Sequence, residues 1–178
     1  MPGDSSGIPR WLPTDEALPL FSSMLHNINI LDISYDDSWN LLSSSVLNSL
    51  VDLMQLPSVV YLRVGDQIPA FVFNFALGPN VKHLALPLLE TCATHRLAEP
   101  PRQPINPVHL ESLHIDRPFI FVPLLSAPNS RISLSSLRRL CVQSPDILEH
   151  EKIWQLLQFC LDTLEDFEFI PIYHGMTI

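Results

Sequence analysis

The stretch Ser133–Ser144, SLSSLRRLCVQS, changes its apolar spacing midway. Leu134, Leu137 and Leu140 fall three apart, and Val142 follows two residues on. A helix alternates spacings of three and four, and a strand keeps two throughout. The switch therefore predicts a turn that hands over to a short strand. Anchors three apart bring the chain in, and the strand then points alternate side chains inward.

The same order recurs. It is found at Leu25, Ile28, Leu31, Ile33; at Leu56, Val59, Leu62, Val64; and at Leu161, Leu164, Phe167, Phe169. Two shorter matches keep the last three positions: Val81, Leu84, Leu86 and Leu110, Leu113, Ile115. The third apolar position falls at 31, 62, 84, 113, 140 and 167, giving intervals of 31, 22, 29, 27 and 27 residues. This is a repeat of leucine-rich type, in which L-x-x-L-x-L recurs at about 20–29 residues. It predicts an α/β fold, an irregular leucine-rich-repeat solenoid of about six strand–helix units with one parallel sheet. The expected strands are 30–34, 61–65, 83–87, 112–116, 139–143 and 166–170. Residues 1–20 are expected to be a flexible N-terminal segment, and residues 21–178 the repeat domain.

The connections carry helical signals. Trp39, Leu42, Val46, Leu50 and Leu53 share one helical face, with Ser38 or Asp37 as the expected N-cap. Ile153, Leu156, Leu157, Cys160 and Leu161 form a second stripe behind an acidic first turn. Segments 68–77, 87–97 and 119–127 are shorter and contain or border prolines, which predicts single-turn or irregular helices. Pro100, Pro101, Pro104 and Pro107 predict a stiff loop.

The stretches LPSVVYLRVGD, NVKHLALP and LLQFCLDTLEDFEF together resemble the leucine-rich region of the F-box-like protein families of mushroom-forming fungi. The resemblance runs from about Phe21 to Phe169. It implies a protein-interaction module, similar to the substrate-recognition part of an F-box protein in a cullin-type ubiquitin ligase. The F-box that would dock a Skp-type adaptor is not completed here. LPTDEALPLFSSML is followed by the strand-like INILDIS rather than by further helices. A Skp-type adaptor is therefore expected only if a complete F-box exists outside this chain. Many leucine-rich repeats also place Asn or Cys three residues past the last strand anchor. Here those positions hold Asp36, Gln67, Leu89, Pro118, Pro145 and Ile172, so the coils should be irregular.

Composition narrows the function classes. The 178 residues are 47% hydrophobic and 16% charged, with a formal net charge of -9, which fits a folded chain. Only 10 are Lys or Arg, against binding to nucleic acid or an anionic membrane. Apolar runs are too short to span a bilayer. Three scattered cysteines, Cys92, Cys141 and Cys160, and no signal-like N-terminus suggest a reducing cytoplasmic or nuclear setting.

No catalytic constellation stands out. GDSSG, at 3–7, is read as a polar terminus, because a nucleophilic serine needs a rigid elbow and placed partners. Cys92 and His95 are half of a metal site at most, without a second half. His109 and His114 bracket a strand and His83 begins another, and all three read as surface imidazoles. Glu165, Asp166 and Glu168 read as a solvated strand edge. No Gly-rich phosphate loop occurs among the 5 glycines. No cofactor or metal is expected, and a non-enzymatic role is preferred.

What remains is a surface. Residues between the inward anchors should form two columns on the concave face. One is Asp32, Arg63, Ala85, His114, Cys141, Glu168; the other is Ile30, Tyr61, His83, Ser112, Arg139, Asp166. The expected protein-binding residues are Asp32, Tyr61, Arg63, His83, His114, Arg139, Cys141, Asp166 and Glu168, with Tyr and Arg as anchors. The alternatives are an unrecognised hydrolase and a fragment or decayed paralogue. The last is motivated by the uncapped end FEFIPIYHGMTI, which fits a truncated domain.

Overall fold

The computed structural model describes residues 24–34, 42–65, 76–87, 106–125, 130–144 and 150–171, with Ala17 and Leu20. Six strands form one sheet: β1 (Ile30–Ile33), β2 (Tyr61–Val64), β3 (His83–Leu86), β5 (Ser112–Asp116), β7 (Arg139–Ser144) and β8 (Asp166–Pro171). Their order in the sheet is their order in the chain, and every pairing is parallel. Leu31, Leu62, Leu84, Leu113, Leu140 and Phe167 lie side by side in register, so the repeat positions align as the spacing requires.

One joint recurs at every junction of this sheet. The carbonyl of the residue before each strand accepts two N–H bonds from the next. Asn29 accepts from Val60 and Tyr61, Val60 from Lys82 and His83, and Lys82 from Glu111 and Ser112. Glu111 accepts from Arg138 and Arg139, and Arg138 from Glu165 and Asp166. All of these bonds measure 2.8–3.1 Å.

The spacing of three before the strand is a hydrogen-bonded turn. Val59 N–H donates to Leu56 O at 3.1 Å, and Leu137 N–H to Leu134 O at 3.0 Å. In the third unit Gly78 takes the first anchor position, and Val81 N–H donates to its carbonyl at 3.4 Å. A side chain has no room there, since a Cβ would lie 2.7 Å from Met54 O. The fourth unit replaces the turn by a short strand, β4 (Val108–His109), paired in parallel with β6 (Ile132–Ser133). This second, two-stranded sheet corrects the expectation of a single sheet. Two-residue strands are set by the route of the loops, and no periodicity announces them.

Among the described residues three helices follow strands or precede turns: α1 (Ser44–Met54), α2 (Pro118–Leu125) and α3 (His150–Gln158). The N-cap of α1 is Ser43, whose Oγ accepts from Val46 N–H at 3.3 Å, rather than Ser38 or Asp37. Those two residues and Trp39 lie outside the described residues. The helix α2 is longer than a single turn. Arg117, at φ 62°, swings the chain out of β5, and Pro118 opens the helix where its missing N–H costs nothing. Ile120, Phe121 and Val122 are buried, and α2 packs on α3.

The inward rows of the sheet fuse with Val46, Met54, Phe121, Ile153 and Leu156 into one core. Burial fades at both ends. Leu25, Ile28 and Leu31 are only half-buried, and Ile33 completes the first unit's core. In the sixth unit Leu164 is partly buried, whereas Leu161, Phe167 and Phe169 are 55%, 43% and 36% exposed. Leu161 thus leaves the apolar stripe assigned to it. Among the described residues no helix is long and apolar enough to cross a membrane.

Candidate functional site: the open face of the sheet

Alternation puts every second strand residue on the face away from the core. The rows there run Ile30–Tyr61–His83–Ser112–Arg139–Asp166 and Asp32–Arg63–Ala85–His114–Cys141–Glu168. All nine expected binding residues therefore share one face. It is open: Ile30, Asp32, Arg63, Arg139, Asp166 and Glu168 are exposed, and Tyr61, His83, His114 and Cys141 half-buried. Only Ala85 is buried, a small residue between larger neighbours. All-parallel sheets are almost always covered on both faces, and here no described helix or strand covers this one.

The groups along this face interact pairwise. The Tyr61 and His83 rings lie 6.4 Å apart at 32°. Arg63 Nη1 is 3.6 Å from Asp32 Oδ2, with both side chains about half exposed. That contact is long for a hydrogen bond and screened by water, so it contributes little and leaves donors for a ligand. His114 lies within β5 rather than at a strand end, and its Nε2 is 3.6 Å from Oδ1 of buried Asp116.

His114 and Cys141 are register neighbours, with Asp116 two residues from His114, which brings Cys, His and Asp together. Burial, then the charge and hydrogen bond of Glu168, with Asp116 and Asp166 behind, push Cys141 up to about 11. A nucleophilic cysteine needs the opposite shift. Cys160, in the core, is also raised by burial. No group of three His, Cys, Asp or Glu among the described residues could hold a metal ion. Cys92, His95 and the GDSSG segment lie outside the described residues.

Ion pairs edge the face where the strands begin. Lys82 Nζ donates to Glu111 Oε1 at 2.7 Å, and Arg138 Nη1 to Glu165 Oε1 at 3.2 Å. Lys82 holds the Glu111 carboxyl below its ordinary value. These four residues share one position, directly before successive strands, and alternate in sign. That alternation is visible once the units are aligned, but a reading confined to strand residues passes over it. Asp116 was missed similarly. It ends β5 two residues after His114 and on the same face, and its burial, which alternation does not foretell, sets it apart from the other charged residues there.

No known protein family, curated protein or solved structure matches the chain.

Proposed function

We propose that this protein is a non-catalytic protein-interaction module, an irregular leucine-rich-repeat solenoid that holds a protein ligand on the open face of its sheet. The observation that carries this reading is the bare face of an all-parallel sheet, lined by Tyr61, Arg63, His83, His114 and Arg139. Aromatic and arginine side chains on a rigid frame are the usual anchors of protein recognition. Chain-order strands joined by one recurring backbone joint support the solenoid, and concave solenoid faces are common binding surfaces. The resemblance to the substrate-recognition region of F-box-like proteins points the same way. A Skp-type adaptor would join only through an F-box outside this chain, and an intracellular, reducing location follows from that reading.

The test is affinity capture with the full chain, run beside a Tyr61→Ala, Arg63→Ala, His114→Ala triple variant that keeps the wild-type circular dichroism spectrum. A partner retained by wild type and lost by the variant supports the reading. Capture that is absent, or unaffected by the three substitutions, overturns it.

A further inference from the structure

The outer edge of the sheet carries a second surface. All six residues of β8 are exposed, and no described strand lies beyond it. Phe167 and Phe169 stand in the rows that Leu140 and Val142 fill, yet they remain well exposed. On the opposite side of the strand are Asp166 and Glu168, with Glu165 just before it. The cations nearest in register, Arg138 and Arg139, both sit on the inner side, toward β7. From Asp166 to Phe169 the edge thus alternates acid and aromatic groups, before Ile170 and Pro171 end the strand.

A second copy of this chain fits poorly. If β1 of another copy continued the sheet in register, Asp32 would fall beside Glu168. In an antiparallel pair of β8 strands centred on Glu168 or Phe167, acid would face acid. Like charges directly opposite destabilise a sheet.

We propose that the free edge of β8 binds a basic, extended protein segment by strand addition. Lysine or arginine would lie beside Asp166 and Glu168, and apolar residues beside Phe167 and Phe169. Backbone hydrogen bonds would hold the segment, and the alternating side chains would select it. The parallel direction is favoured, because Glu165 occupies the position whose carbonyl accepts two N–H bonds at every earlier junction. Asp166 and Glu168 border both surfaces, but the open face is tested at Tyr61, Arg63 and His114 and the edge at Asp166 and Glu168, so the two proposals fail separately.

The experiment uses the full chain with a short fluorescein-labelled peptide alternating lysine and valine, and its glutamate–valine counterpart. Saturable anisotropy is expected for the lysine peptide, at least about ten-fold tighter than for the other and weakened by salt. Hydrogen-exchange protection should centre on Asp166–Pro171. Glu168→Lys, an exposed change, should reverse the preference, and Asp166→Lys should do so independently. No binding would mean that the acids only guard the edge against pairing. Equal binding of both peptides, protection elsewhere, or a concentration-dependent dimer shielding β8 would each overturn the proposal.

Discussion

Leu140 and Arg138 stand two residues apart and meet opposite surroundings. Leu140 is 1% exposed in the core, and Arg138 reaches into water towards Glu165. Leu140→Asp would bury a charge without a partner and should unfold a domain of ordinary stability. Arg138→Ala should change stability by less than about 0.5 kcal/mol, because an exposed ion pair contributes little. Chemical denaturation of both variants checks the pair, and similar effects would contradict the register. Cys141 gives a second test at this scale. Its alkylation, followed by peptide mass spectrometry, should rise with pH around a midpoint of about 11, and Glu168→Gln should lower that midpoint. The fold favours the protonated thiol. Its contribution is therefore complete below the ordinary value of 9.0 and is lost as pH climbs towards about 11.

The turns before the strands are the elements where short polar side chains and glycine matter most. Ser58 Oγ donates to His26 O at 3.1 Å, Asn80 Nδ2 to Pro57 O at 2.8 Å, and Thr163 Oγ1 to Leu137 O at 2.8 Å. Each residue lies three before its strand and ties its turn to the preceding unit. Thr163→Val keeps the shape and removes the donor, so it should cost about 1 kcal/mol in thermal unfolding. Gly78→Ala should cost about 1–3 kcal/mol, because its methyl would press on Met54 O. The strands were legible in the sequence because two inward residues per strand fix both position and register. The two rows of the open face followed from alternation alone. The polar ties were not legible in this way. Irregularity was expected from the absence of asparagine past the strands, but the hydrogen bonds lie ahead of them. Ser38 and Asp37 are as good caps as Ser43, so the sequence alone starts α1 too early, and only folding chooses among them. The exposure of Phe167 could not be read either. Its pattern matches that of buried Leu140, and the difference lies in what covers it.

At the scale of the whole molecule, each strand of the main sheet pairs only with its neighbours in the chain. Central strands are held from both sides, whereas among the described strands β8 is held only by β7, and its inward aromatics stay partly wet. Stability should therefore be graded. Native-state hydrogen exchange should find amides of β8 opening at lower free energy than those of β3 and β5, which open with the whole fold. Uniform protection across the six strands would instead indicate a single cooperative unit. Such a gradient would leave the proposed edge site on the most adaptable part of the chain and the proposed face on the stiffest.

The double-bonded carbonyl before each strand has a consequence for how such a chain can change over time. Asn29, Val60, Lys82, Glu111 and Arg138 make the same joint although their side chains range from amide to aliphatic to both signs of charge. The joint is made by backbone, so the side chains beside it are exempt from selection for stacking. Divergent descendants could therefore exchange the charges bordering the open face, and with them their partners, while the sheet keeps its register.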